Sequence, residues 1–357
     1  MCKRILVPSA GGPGCVNLVR SLRRLPEQVF LVGMDASPHY LHLALTDVSL
    51  VGPRRDDEDA YVDFINDVCR EFDIDMIFPN NSLDGAVLAR FQGRLAARTF
   101  LPSPEMFKVG EDKWLTWQLL SQAGLPVPRT WLLETPDDLA TVFAEVEPPV
   151  WVRGAGIPGR GVGVASLPAR TLEQAIQWVE YWSGWGAMSA SEYLPGDNLT
   201  WLSVWDRGRL VASQGRQRLA YVIPHVSPSG ITGAPAISHT VHNEEINVLG
   251  PAVCKAISKD FHGPAFVDFK SDADGHPRIT EINVGRFGTT HHFYTEAGAG
   301  FPELVVRLAF GEAMPEWVSR FNVLPPDLYW IRTLDAGPVL VSKDRLEQTI
   351  SSGRVPD

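Results

Sequence analysis

Over the first hundred or so residues, apolar runs of strand length alternate with glycine loops and helical segments, a pattern that requires a parallel sheet joined by crossover helices. The apolar stretch 4–8 leads into the tight loop Ser9-Ala10-Gly11-Gly12-Pro13-Gly14, and helical spacing follows over 16–24. A second run, 29–34, stops at Asp35. Beyond a loop near Pro53, a helix over 59–72 precedes the strand Met76-Ile77-Phe78, which runs out into Pro79-Asn80-Asn81. Residues 1–102 thus read as one small, doubly wound α/β domain.

The remainder has a mixed, α+β character. Ser103-Pro104-Glu105 carries a capping serine with proline at the first helical position, and a helix is expected over 111–123, with Leu115, Leu119 and Leu120 on one side. Gly124 stops it, with Pro126 and Pro128 beyond. A compact unit, 103–195, then holds strands at 150–153, 163–165 and 187–193 and a helix at 171–182. Residues 199–212 and 219–223 alternate like a hairpin sheet, with Trp201 and Trp205 sharing a face, while 225–242 reads as a long loop of Ser, Pro, Gly and His. A helix from 244 to about 261 precedes strands at 265–270 and 278–283, joined by the turn Asp272-Ala273-Asp274-Gly275, and a helix at 302–310 follows. This second unit spans 196–315. The tail, 316–357, has strand character from Asp327 onward, and packing on the sheet is one option for it.

Composition excludes several classes of function. The net charge of −10, from 32 Lys and Arg against 42 Asp and Glu, repels phosphate backbones and anionic lipid, so neither nucleic acid nor membrane is an expected partner. A hydrophobic content of 45% is ample for a core and argues against disorder. Cys2, Cys15, Cys69 and Cys254 show no C-x-x-C spacing, which fits reduced structural thiols rather than a zinc ribbon or a disulfide framework. Met1-Cys2-Lys3-Arg4, followed by Ile5-Leu6-Val7, breaks at Pro8 and is too short for a secretory signal; a cytoplasmic protein is expected.

Three clusters carry chemistry. Arg153 ends a strand and opens a glycine-rich loop over 154–163, containing Gly156, Gly159 and Gly161, before a returning strand. Glycines expose backbone N–H groups to phosphate oxygens and the arginines add charge, although a plain hairpin accounts for the pattern as well. Asp268 on one strand faces Glu281 and Asn283 on its hairpin partner, and strand periodicity puts Glu281 and Asn283 on the same face. Hard oxygen donors so placed suit Mg²⁺ shared with nucleotide phosphates; unrelated polar residues on a solvated hairpin are the alternative. Third, Ser191-Glu192-Tyr193-Leu194-Pro195-Gly196-Asp197 is a strand running into a turn, whose backbone can read an adenine edge while an acid accepts ribose hydroxyls.

In this order and spacing, the chain resembles the ATP-grasp superfamily over roughly 1–312, most nearly a single synthetase unit of the carbamoyl-phosphate synthase large subunit and similar short carboxylate-amine ligases. The resemblance implies an ATP-grasp fold behind an N-terminal pre-ATP-grasp parallel-sheet domain. It carries ATP over as cofactor with Mg²⁺, which Mn²⁺ could replace. Lys113 and Arg153 take the places of the phosphate-binding basic residues, and 154–163 corresponds to the glycine lid. Glu192, Tyr193 and Leu194 fall on the adenine hinge, Asp197 on the ribose acid, and Ser229-Gly230-Ile231-Thr232 on the loop covering the phosphates. Asp268, Glu281 and Asn283 match the metal ligands. Arg286 matches a basic residue that meets the acyl phosphate, but Asn283-Val284-Gly285-Arg286 is one residue longer than the usual Asn-Pro-Arg.

The implied reaction activates a small-molecule carboxylate as an acyl phosphate and couples it to an amine, releasing ADP and phosphate, with Lys113, Arg153 and Arg286 catalytic. A carbamoyl-phosphate-synthase-like kinase or synthetase step and a non-catalytic ATP-binding regulatory module stay open, as does a homodimer. For the substrates, His291, His292 and Tyr294 follow Arg286 directly, and Gly11, Gly12, Asn80 and Asn81 lie on first-domain loops that lean over the same cleft in related folds. A structural histidine pair and ordinary strand-end turn chemistry are the competing explanations. Residues 151–170 hold three arginines and 207–218 hold four, with no acid in either, which concentrates positive charge where a triphosphate would lie.

Overall fold

The N-terminal alternation forms β1 (Lys3–Pro8), α1 (Pro13–Leu22), β2 (Val29–Asp35), β3 (Val48–Val51), α2 (Glu58–Glu71), β4 (Met76–Ile77) and α3 (Ser82–Arg90) in the computed structural model, which describes residues 2–157, 159, 166–231, 233–334 and 339–352. The strands pair in parallel in the order β3-β2-β1-β4. Covered on both faces, β1 sends apolar side chains both ways: Ile5 and Val7 enter one core cluster with Leu18 and Leu22 of α1, and Leu6 enters another with Val62 and Ile65 of α2. Spacing alone gave no sign of α3, because Gly85, Ala86, Leu88 and Ala89 are all buried and leave no polar face to mark the period.

A second group comprises α4 (Pro104–Glu111), α5 (Lys113–Gln122), β5 (Thr130–Leu133), α6 (Pro136–Glu145), β6 (Val150–Gly154), β7 (Leu167–Ala169), α7 (Leu172–Tyr181) and β8 (Met188–Glu192). Its four strands form an antiparallel sheet, β5-β8-β6-β7. The expected single helix over 111–123 is broken: Asp112 has extended backbone, and its carboxylate accepts the N–H of Leu115 at 2.8 Å, so Lys113 heads a new helix. The strand expected at 163–165 lies outside the described residues.

The third group contains β9 (Asn198–Asp206), β10 (Arg209–Tyr221), β11 (Pro235–Val241), α8 (Glu244–Ile257), β12 (Gly263–Ser271), β13 (Pro277–Val284), α9 (His292–Glu296), α10 (Phe301–Phe310), β14 (Leu328–Ile331), β15 (Val339–Ser342) and α11 (Lys343–Ser352). Its strands run antiparallel in the order β13-β12-β9-β10-β11-β14-β15. The loop expected over 225–242 gives way to β11 in its second half. Buried polar side chains disguised that strand: Ser238 and Thr240 are inaccessible to solvent, and Thr240 Oγ1 donates to the Pro325 carbonyl at 2.7 Å.

Strand alternation divides the side chains of this large sheet. Leu199, Trp201, Val267 and Phe269 share one core cluster with Ile246 and Val253 of α8, whereas Leu202, Val204 and Phe266 share another with Phe301 and Leu304 of α10. Helix α10 also contacts α1, so it joins the large sheet to the parallel one. Among the described residues no helix is long and apolar enough to cross a membrane. Gly250 of α8 lies directly on Trp201, and a Cβ there would overlap the indole. Gly250→Leu should therefore destabilise the protein by about 1–3 kcal/mol through overpacking, read as a lower urea midpoint at unchanged m-value.

Candidate active site

Between the small and large sheets lies a cleft lined by Trp151, Arg153, Tyr193, Leu194, Arg218, Tyr221, Asp268 and Glu281 among others. The alternation of β6 builds one wall: Val150 and Val152 enter the core of the small sheet, which turns Trp151 and Arg153 the other way. A bulge builds part of the opposite wall. Asp268 pairs with Glu281 and Phe269 with Ile279, leaving Thr280 out of the ladder. Its free carbonyl accepts from Arg153 Nη2 at 2.9 Å, and its hydroxyl donates to the Asp268 carbonyl at 3.0 Å.

The register sets the carboxylates of Asp268 and Glu281 on directly opposed residues, with Asn283 two residues along the same face. Asp268 accepts from Thr200 Oγ1 at 2.7 Å and pairs with Arg218 at 2.9 Å. Glu281 lies 3.4 Å from Lys113 Nζ and 4.0 Å from Arg153 Nη1. Burial pushes the Glu281 carboxyl up, yet the charges of Lys113, Arg153 and Arg286 outweigh it and hold the group below the usual carboxylate range. Arg286 donates to the amide oxygen of Asn283, and its guanidinium stands 5.3 Å from the ring centroid of Phe266. Two carboxylates and an amide oxygen on one face fit a hard divalent cation. No cluster of three His, Cys, Asp or Glu side chains occurs among the described residues, so the set reaches three only through Asn283.

On the opposite wall, Glu192 ends β8, and both its backbone and its carboxylate engage Arg129: its N–H donates to the Arg129 carbonyl at 3.2 Å, and Oε1 accepts the Arg129 N–H at 3.0 Å. Tyr193 and Leu194 continue past the strand end along the cleft. Asp197 is exposed in the turn before β9, where its carbonyl accepts from the Ser271 N–H at 2.9 Å. Gly156 has φ +70° and packs against Lys113, so the end of β6 and the start of α5 meet there. Gly159 and Gly230 also have positive φ with open space around them; Gly161 and Thr232 lie outside the described residues.

Several expected substrate contacts are committed elsewhere. Asn81 caps α3, accepting the Leu83 N–H at 2.9 Å. Asn80 is buried, and both ends of its amide are used: Nδ2 donates to the Gly14 carbonyl at 2.8 Å, and Oδ1 accepts the Phe287 N–H at 2.8 Å. Gly12 precedes α1 as its cap, and Gly11 abuts the backbone of Tyr40, so both serve the turn. His292 faces α1 rather than the cleft, with one ring nitrogen 3.0 Å from Ser21 Oγ and the other 3.3 Å from Glu296. His291 and Tyr294 are buried within the segment that follows Arg286.

No protein-family model matches the sequence, and no curated protein matches it either. Solved structures do. The biotin carboxylase domain of a 2-oxoglutarate carboxylase from Hydrogenobacter thermophilus, in complex with MgADP, ADP and bicarbonate, has a TM-score of 0.69 at 15% identity, over 93% of this chain and 74% of that one. N5-carboxyaminoimidazole ribonucleotide synthetase from Thermus thermophilus gives 0.68 at 16% identity, over 94% and 84%. An L-amino acid ligase from Bacillus licheniformis gives 0.65 at 18% identity, over 92% and 78%. The chain has the ATP-grasp fold.

Within this ATP-grasp cleft, the structure adds residues that motif spacing did not single out. Of the four arginines in 207–218, Arg216 and Arg218 point from β10 toward Asp268, while Arg207 and Arg209 sit at the far turn between β9 and β10. Their i, i+2 spacing was the available signal, but only the sheet order shows which face it occupies. Trp151 shares the face of Arg153 for the same reason. Burial lowers the pKa of His291 to about 3, against a usual 6.5. The unfolded chain binds a proton near 6.5 that the folded protein refuses until about 3, so the stability carried by the neutral ring is complete above 6.5 and is lost as pH falls from there. The His291 ring should show no protonation by NMR between about pH 8 and about pH 5, and His291→Gln should reduce the acid-side slope of unfolding free energy.

Proposed function

We propose that the protein is an ATP-dependent ligase that converts a small-molecule carboxylate to an acyl phosphate and couples it to an amine, releasing ADP and phosphate. The observation that carries this reading is the convergence of Lys113, Arg153, Arg218 and Arg286 on the Asp268 and Glu281 pair, at one side of a cleft whose other side is aromatic and apolar. Phosphoryl transfer demands positioning and charge neutralisation more than covalent participation by the protein. A site rich in both signs of charge, walled by Trp151, Tyr193 and Leu194, meets that demand. All three solved structures named above belong to proteins described as a carboxylase, a synthetase or a ligase, which supports chemistry of this kind.

In this proposal Lys113 and Arg153 bind the nucleotide phosphates, and Trp151, Tyr193 and Leu194 flank the base. Asp268, Glu281 and Asn283 would hold Mg²⁺, which supplies charge neutralisation to the triphosphate when bound. Arg286 orients the carboxylate that is to be phosphorylated, after leaving Asn283. Walls of protein on both sides limit water, which would otherwise hydrolyse the acyl phosphate.

Release of ADP and phosphate, measured with ATP, Mg²⁺ and a library of acids and amines, tests the reading. An amine-dependent rise in both products supports the ligase; ADP without phosphate indicates a kinase, and no ADP with any mixture indicates a binding module. Glu281→Gln should lower ADP release by at least about 100-fold, and full turnover in that variant would sink the cation assignment. Lys113→Met should raise KM for ATP about 10-fold, as expected for the loss of one charge-assisted contact.

A further inference from the structure

Twelve buried side-chain nitrogen or oxygen atoms lack a hydrogen-bond partner among the described residues, and nine of them lie on β10, β11, β14 and the segment 286–294. Buried polar atoms are ordinarily satisfied, so a concentration of unsatisfied ones in one place calls for partners from outside the chain, water or a ligand. The register makes the cluster continuous: Arg218 pairs with Ser238, Ser238 pairs with Trp330, and Arg216 lies two residues along the same face of β10. The covering segment is bound to that face by its rings. Tyr294 meets Trp330 edge-on at 5.4 Å, and the Arg216 guanidinium stands 5.9 Å from the Trp330 centroid.

The unused atoms define what a ligand must offer. Nε of Arg216, Nε of Arg218 and Nε1 of Trp330 can only donate, whereas the hydroxyls of Tyr294 and Ser238 serve either way. His291 differs. Its Nδ1 lies 3.0 Å from the Gly288 carbonyl and must donate there, so the neutral ring presents Nε2 as a bare acceptor. Burial keeps this ring neutral at ordinary pH. Of the carboxylates near the arginines, Asp268 is already engaged by Arg218 and Thr200, and Glu281 by Lys113 and Arg153. Surplus donors and surplus positive charge require an anion, and a single acceptor beside them suits an N–H.

We propose that this cluster binds an α-amino acid, with its carboxylate on Arg216, Tyr294 and Trp330 and its amine turned toward Nε2 of His291. The inference rests on the ligase reading above only for the role of that amino acid as one of the two substrates. It gives the C-terminal segment a role, because Trp330 lies on β14, which joins the large sheet beside β11.

Calorimetric titration of the full-length protein with each of the proteinogenic L-α-amino acids, with and without Mg²⁺ and a non-hydrolysable ATP analogue, tests the proposal. At least one amino acid should bind, and its methyl ester and its N-acetyl derivative should each bind at least about 10-fold more weakly, since each loses a charged contact. Arg216→Met should weaken binding about 10- to 100-fold, and His291→Asn should narrow the gap between the free and N-acetylated forms. Trp330→Phe keeps an aromatic ring while removing the N–H, and should weaken binding severalfold even if Arg216→Met fails to fold. Binding of no amino acid under either condition, equal binding of acid and ester, or full affinity in a folded Arg216→Met protein would overturn the proposal. Amino-acid binding of the expected pattern without ADP release under any mixture would support this site and remove the ligase reading. ADP release driven by acids that lack an amine, with no amino acid bound, would do the reverse.

Discussion

Two carboxylates facing each other across neighbouring strands are the interaction on which the rest of this structure depends. Asp268 and Glu281 are brought together by the register of β12 and β13, and burial makes ionisation of Glu281 expensive unless cations answer it. The answering groups come from distant parts of the chain: Lys113 from the head of a helix, Arg153 from the small sheet, Arg218 from the next strand but one, and Arg286 from the segment beyond β13. Each is placed by a local device, such as the Asp112 cap or the alternation of β6. The Thr280 bulge contributes similarly, because a ladder without it would use the carbonyl that now receives Arg153.

Placed this way, the charges serve folding and, in the proposed function, would serve ligand binding as well. Protein cations neutralise the carboxylates. A triphosphate with its metal ion would compete for the same partners, the anion drawing on the lysine and arginines and the metal ion on the carboxylates. Such an exchange of ion partners within a fixed framework avoids burying an unpaired charge at any stage, which would cost several kcal/mol.

Much of this was legible in the sequence because it depends on short-range pattern. The apolar run of β1, the hairpin that carries Asp268, Glu281 and Asn283, and the strand that ends in Arg153 all follow from a period of two and from turn residues. Features that depend on long-range neighbours were not legible. Helix α3 is buried over all of 84–89, so its period is silent, and β11 carries polar residues whose burial is known only once β14 pairs beside them. Arg216 and Arg218 were visible only as two of four arginines near an expected triphosphate, without the sheet order that separates them from Arg207 and Arg209. Asn80 and Asn81 showed the opposite failing, since both read as free strand-end amides until the groups that occupy them, 207 residues away in the case of Phe287, were in place.

The side chain of Asn80 spans two parts of the chain with one planar amide, taking the Gly14 carbonyl at one end and the Phe287 N–H at the other. The glycine loop of the parallel sheet and the segment leading to His291 and Tyr294 are thereby tied to one side chain. The first domain is consequently not an interchangeable cassette: a homologous domain grafted in its place would have to present an amide at this position, or the segment that begins at Phe287 would lose its anchor.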